Sequence, residues 1–206
     1  MQIIVISDIH ANFTALNVLA EDIERADQVL CLGDIIGYNK QVNEVIDYLR
    51  QLKNIICILG NHDDFLLRGC PENLLPTTVR RGIDYADRVI RPDNRAWLTT
   101  LPISWGGFLD GMSFLLAHGS PWHPFTDYLY ADNPLVAKLE GFNYDVIGVG
   151  QTHRALIRTD KKPFLINPGS VGQSRDKKGM ACAMQIDTQT QTFTLIERPF
   201  SNMTSE

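Results

Sequence analysis

The sequence predicts an α/β fold in which two sheets pack together within one domain. Three observations lead there. Short β-branched runs alternate with amphipathic segments through the first sixty or so residues. The second half changes to short apolar runs separated by turn residues. Polar residues of ligand type recur at the carboxyl end of one apolar run after another.

"QIIVIS" (2–7) reads as a strand buried on both faces, being short, continuous and β-branched. Residues 13–25 place Phe13, Leu16, Val18, Leu19 and Ile23 at close to helical spacing, with Asn12 as N-cap. "QVLCLG" (28–33) is a second strand, "QVNEVIDYLRQL" (41–52) a second helix and "NIICILG" (54–60) a third strand. This β-α-β-α-β order predicts parallel strands joined by right-handed crossovers. Residues 76–101 read as helical with a break at Pro92. "ISWGGF", "MSFLLAHG", "YDVIGVG", "ALIRT", "FLIN", "MACAMQID" and "TFTLIERP" follow as strands, with one more helix near 132–140. Asp110-Gly111 and Lys178-Gly179 mark turns. No repeat, low-complexity tract or linker interrupts the chain. One domain spanning 1–206 is expected, its two halves forming the two sheets.

The 206 residues are 44% hydrophobic and 21% charged, which is ample for a core without disulfides or structural metal. The net charge of −5 argues against bulk attraction to nucleic acid or an anionic membrane. It leaves room for a small phosphate-bearing substrate, because bound cations would set the local field. Cys31, Cys57 and Cys182 lie in apolar runs and read as buried thiols; with Cys70 they show no CxxC spacing. The chain enters a strand at once, with no basic stretch ahead of a long apolar run, and no segment is long enough to span a membrane. A reducing, cytoplasmic setting is the expectation. There the glycosylation patterns at Asn12 and Asn202 carry no meaning.

The strand ends carry the chemistry. The first ends in Ser7-Asp8-Ile9-His10, the second in Gly33-Asp34 and the third in Gly60-Asn61-His62-Asp63. "MSFLLAHG" ends in His118-Gly119 and "YDVIGVG" in Gly150-Gln151-Thr152-His153. Each fragment has a plain reading on its own: Asp8 complementing a helix dipole, Asp34 in a turn, His118 and His153 satisfied in the core. Five such coincidences, all at strand ends, make a poor joint account, because α/β folds bind ligands at that edge. Asp, Asn and His together suit Mn, Fe, Zn or Ni rather than Ca. Two such ions about 3.5–4 Å apart form the clamp used in phosphoester hydrolysis.

In this order, Asp8-x-His10, Gly33-Asp34, Gly60-Asn61-His62-Asp63, His118 and Gly150-x-Thr152-His153 resemble the calcineurin-like metallophosphoesterases. "GDIIGYN", "HGSP" and "INPGSVGQSRD" further resemble their compact prokaryotic phosphodiesterase branch. The resemblance runs from Ile3 to about Arg198. It implies a four-layer α-β-β-α sandwich, two mixed sheets flanked by helices. It implies a metal-dependent phosphoesterase, a phosphodiesterase or phosphatase, that hydrolyses a small phosphoester, nucleotides included, through a hydroxide bridging two metals. Mn is the favoured ion, with Fe, Zn or Ni as alternatives. By the same resemblance Asp8, His10 and His153 hold the first metal and Asp34 bridges. Asn61, His118 and position 151 hold the second. His62 meets the phosphate as the catalytic residue. Asp63 either orients His62 or caps the next helix.

The family pattern expects histidine where this chain has Gln151. Gln151 as a weak amide ligand, a water in its place, His123 swinging in and a partly empty second site all stay open, and a weakened but usable site is favoured. Arg154 and Arg175 are candidates for phosphate contact. Trp122, Phe125, Tyr128 and Tyr130 offer faces on which a base can stack, or they pack their loop. A protein serine/threonine phosphatase is a poorer reading, since Ile35-Ile36-Gly37-Tyr38 follow Asp34 where those enzymes carry a charged pair. A non-catalytic scaffold of the retromer-subunit kind is the rival from another class. Gln151 favours it, and the retained His62 speaks against it.

Overall fold

A computed structural model describes residues 1–70 and 75–201, so the pattern at Asn202 lies outside the described residues. The three early strands are β1 (Gln2–Ile6), β2 (Gln28–Cys31) and β3 (Ile55–Cys57). The helices are α1 (Phe13–Asn17), α2 (Ala20–Glu24), α3 (Val42–Gln51), α4 (Asn61–Arg68), α5 (Thr77–Val89) and α6 (Pro92–Thr99). The later strands are β4 (Ser104–Leu109), β5 (Met112–Ala117), β6 (Val146–Gly148), β7 (Ala155–Arg158), β8 (Phe164–Pro168), β9 (Met180–Asp187) and β10 (Thr192–Pro199). A 3-10 helix, Pro134–Gly141, precedes β6.

The strands form two mixed sheets, ordered β10-β9-β1-β2-β3 and β4-β5-β6-β8-β7. β1, β2 and β3 are parallel, as are β5, β6 and β8. The sheets are not the two halves of the chain, which corrects the expectation. β9 and β10 return to the first sheet, and β9 pairs antiparallel with β1. Alternation along β1 shows the layering. Ile3 and Val5 face the second sheet, meeting Phe114, Leu116, Val146 and Ile166, while Ile4 and Ile6 face the helices. Both faces are therefore apolar, which is why these strands read as continuous hydrophobic runs. On the far side, Ile147, Val149 and Leu165 are covered by Leu129, Val136 and Leu139 from the 3-10 helix and its approach.

The helix expected over 13–25 is two helices. Leu19 hydrogen-bonds back to the Leu16 carbonyl at 3.0 Å, a tightened turn that keeps Leu16, Leu19 and Ile23 all buried. Asn12 is the cap it was expected to be, accepting from the Ala15 N–H at 3.0 Å while donating to Gly172 O at 3.1 Å. The four cysteines are free, and Cys31, Cys57 and Cys182 are buried. Among the described residues no helix is long and apolar enough to cross a membrane.

Candidate metal centre

Face-to-face packing brings the carboxyl ends of β1, β2 and β3 against those of β5 and β6. Asp8 and His10 follow β1, Asp34 follows β2, and Asn61 and His62 open α4 after β3. His118 follows β5, and Gln151 and His153 follow β6. The β1–β2 pairing continues past the strand ends, with Asp8 N–H to Gly33 O at 3.0 Å and His10 N–H to Asp34 O at 2.9 Å. The chain then turns sharply to aim side chains inward. Asp8, His10, Asp34, Gln151 and His153 all have positive φ, between 51° and 62°. Such strain in non-glycine residues persists where the surroundings over-determine it and clusters at functional sites. Gly60 allows a close approach: a Cβ there would lie 2.2 Å from both the Asp34 nitrogen and Asp34 Oδ1, so any side chain would displace Asp34.

One ligand atom each from Asp8, His10, Asp34 and His153 lies within 4.8 Å of all the others. His10 Nε2 is 3.0 Å from His153 Nε2, and His153 Nε2 is 3.2 Å from Asp8 Oδ1. His118 Nε2 reaches Asp34 Oδ2 at 3.3 Å. Three imidazoles are held the same way. Nδ1 of His10 faces Ile36 O at 3.3 Å, that of His118 faces Leu32 O at 2.7 Å and that of His153 faces Gln173 O at 3.0 Å. A donated Nδ1–H selects the tautomer whose bare Nε2 points into the cluster, the usual support for a metal-binding imidazole.

Buried polar atoms are normally paired. Here Asp8 Oδ1, Asn61 Oδ1, His118 Nε2 and Gln151 Oε1 are buried without a hydrogen-bond partner. The Gln151 amide is oriented by its Nε2–H donating to Phe125 O at 3.3 Å, which leaves the oxygen bare. Orphaned oxygens and imidazole nitrogens around two carboxylates fit divalent transition cations.

Burial alone would raise the Asp34 carboxyl, but the His118, His62 and His10 rings outweigh it and hold it well below the usual carboxylate range. Asp8 is lowered in the same way, by His153 and His118 against its own burial. Burial would lower His118, yet Asp34 and Asp8 push it up to about 10. Burial and the neighbouring His62 take His10 down to about 3. His62 is lowered by burial, with Asp34 pulling the other way. Its backbone N–H donates to Asp34 Oδ1 at 2.9 Å, its Nε2 lies 3.8 Å from Asp34 Oδ2, and its Nδ1 is unpartnered.

Asp63 is the helix cap that was one of the two roles expected of it, and it does more. Its carboxylate accepts from Gly60 N–H at 2.9 Å, closing the first turn of α4, and from Ile35 and Ile36 N–H at 3.2 and 3.0 Å. It ties the loop after β3 to the loop after β2, and burial with nearby Asp34 raises it to about 7. Arg154 is half-exposed and paired with Asp176 at 3.0 Å. Arg175 is exposed, with its backbone N–H bonded to His153 O at 3.1 Å. His123 is exposed on its turn. Trp122 packs on Phe142 with centroids 5.4 Å apart, while Tyr128 and Tyr130 stack on each other at 6.4 Å.

Sequence reasoning missed several supports of the site. Tyr38 packs edge-on against His10 at 4.7 Å and lies 5.0 Å from His62. Ser170 Oγ donates to Asp8 O at 2.8 Å, and Asn167 Nδ2 donates to Gly150 O at 2.7 Å. All three residues lie within "GDIIGYN" and "INPGSVGQSRD", but nothing local in those stretches marks them as supports.

Residues 1–191 match the family model described as the calcineurin-like phosphoesterase superfamily domain. Protein MJ0912 of Methanocaldococcus jannaschii is 34% identical over 193 residues, covering 84% of this chain and 77% of its own. A metallophosphoesterase from Sphaerobacter thermophilus superposes with a TM-score of 0.81 at 26% identity, over 98% of this chain and 89% of that one. Protein PH1004 of Pyrococcus horikoshii OT3 gives a TM-score of 0.86 at 21% identity with the same coverages, a likeness of fold.

Proposed function

The chain belongs to the calcineurin-like phosphoesterase superfamily, and from that premise we propose that it is a metal-dependent hydrolase of a small phosphoester. The observations that support this reading are the cluster of Asp8, His10, Asp34 and His153 ligand atoms and the buried, unpartnered atoms on Asp8, Asn61, His118 and Gln151 at the same strand ends. Leaving four such atoms unpaired would cost about 1–3 kcal/mol each, a poor use of a core unless cations complete them.

Asp8, His10 and His153 would hold one cation, Asn61, His118 and Gln151 a second, with Asp34 shared between them; Mn is the ion we favour. When bound, the cations would offset phosphate charge and lower the pKa of water. The remaining chemistry belongs to side chains. Asp34 holds His62 in place through the His62 backbone N–H. His62, its ring 4.7 Å from that of His10, would donate a hydrogen bond to the phosphoryl group and a proton to the leaving oxygen. Tyr38, against both His10 and His62, limits water on that side.

The test is hydrolysis of bis(p-nitrophenyl) phosphate by Mn²⁺-reconstituted protein, with metal content measured in parallel. Release of p-nitrophenol that disappears with Asp34→Asn supports the reading. Metal-replete protein without turnover on this ester or on nucleotide esters would count against it and favour the scaffold.

A further inference from the structure

Beside the metal centre lies an open cavity of about 660 Å³, floored by α5 and walled by the loop after β2. It begins where the centre ends. Tyr38, which touches His10 and His62, lines it, and so does Gln173, whose carbonyl orients His153. Lys40, Arg81 and Arg88 also line it, with Asp84 the single acid among its described lining residues. Arg81 and Arg88 are seven residues apart, two turns along one face of α5.

Arg81 and Arg88 contrast with the paired arginines elsewhere on the surface. Arg50 is paired with Asp93, Arg91 with Asp47, Arg154 with Asp176 and Arg198 with Asp22. Lys40, Arg81 and Arg88 have no carboxylate partner among the described residues. Arg175 is likewise unpaired and exposed, and the Tyr38 hydroxyl feels its charge. Unmatched positive charge therefore gathers around one aromatic residue, in a protein whose net charge is −5. Arginine side chains match phosphate geometry in paired hydrogen bonds, and tyrosine faces at Tyr38 and Tyr85 suit a flat ring.

The packing at Gly82 sets the cavity's depth. A Cβ there would lie 2.4 Å from the Tyr38 nitrogen, so only glycine lets α5 press against the Tyr38 loop. Glycine inside a helix costs about 1 kcal/mol relative to alanine. Here it brings Arg81 and Tyr85 up to the wall of the metal centre.

We propose that this cavity is a second phosphate subsite, in which Lys40, Arg81 and Arg88 bind a non-reacting phosphate carried by a nucleotide-like phosphodiester. The proposal rests on the phosphoesterase reading, since the reacting phosphate is assigned to the metal centre.

The test compares two p-nitrophenyl esters of thymidine 5′-monophosphate that differ only in a 3′-phosphate. Both are given to Mn²⁺-loaded wild type, Arg81→Ala/Arg88→Ala and the surface control Lys53→Ala/Lys138→Ala. Wild type and control should prefer the 3′-phosphorylated ester by about tenfold or more in kcat/KM, and the arginine variant should lose that preference, mainly through KM. Equal use of both esters by wild type, a preference that survives in the arginine variant, or equal loss in the control would overturn the subsite. Calorimetry with thymidine 3′,5′-bisphosphate on the same proteins separates the two readings. If neither ester is cleaved, the hydrolase reading fails alone, and binding about tenfold weaker in the arginine variant still upholds the subsite. Equal binding, or none, overturns it.

Discussion

Single residues decide what this site can do. His62 is held by its backbone to Asp34, its Nε2 lies 3.8 Å from Asp34 Oδ2, and its Nδ1 is unpartnered. His62→Ala is expected to lower turnover by about 10²–10⁴-fold while metal content measured by mass spectrometry stays near wild type. Metal loss on that substitution would place His62 among the ligands instead. Gln151 is the residue that departs from the family pattern, and its oxygen is bare and buried. An amide oxygen is a weaker partner than imidazole for these metals. Gln151→His is therefore expected to tighten the weaker of two Mn²⁺ sites by about tenfold, read by calorimetry, and to leave the tighter one alone. The candidate residues were legible, because Asp, Asn and His recur at the end of one apolar run after another, which a set of unrelated turns does not require. Asp63 was not, since its triple acceptance joins two loops that are far apart in sequence.

At the scale of elements, apolar periodicity located nearly every strand and helix, and the misses have causes. β2 and β3 end earlier than their apolar runs, because the chain leaves the ladder to aim Asp34 and Asn61 inward. The helix at 13–25 breaks where tertiary packing prefers Leu16, Leu19 and Ile23 all buried. The segment near 134 closes as a 3-10 helix, with Pro134 at its start and Asn133 accepting from Leu135 N–H at 2.9 Å. Gly82 gives a test of how α5 is seated. Propensity alone favours Gly82→Ala by about 1 kcal/mol, whereas overpacking against the Tyr38 backbone costs about 1–3 kcal/mol. Thermal melting should show Tm falling by about 4 °C. A rise would mean that α5 does not press on that loop.

At the scale of the molecule, the proposed cations would cross-link the sheets. Asp8, His10, Asp34 and Asn61 come from the first sheet, His118, Gln151 and His153 from the second. Mn²⁺ should then raise Tm in proportion to ln[Mn²⁺] once above its Kd, and Asp34→Asn should flatten that dependence. A smaller clasp sits at the opposite end, where Asp110 accepts from the Met1 ammonium at 3.0 Å and from Thr188 at 2.5 Å. Hydrogen bonds from Thr188 and the chain's amino terminus hold the Asp110 carboxyl at about 2, below its ordinary 3.8. A depressed carboxylate contributes stability that is full above the ordinary value and lost as pH falls through the depressed one. Asp110→Asn should thus cost a small amount of Tm at pH 7, as exposed pairs do, and far less near pH 2. An undiminished difference near pH 2 would rule the charge out as the cause. By itself the sequence indicated most element types and put candidate ligand residues at the strand ends, since burial periodicity and strand-end chemistry are local signals. Only the tertiary structure decided that β9 and β10 return to β1, that Arg154 turns away to Asp176, and that unpaired arginines gather at Tyr38. Those facts depend on contacts between residues far apart in the chain, and no local pattern encodes which distant partner a strand edge or a guanidinium will meet.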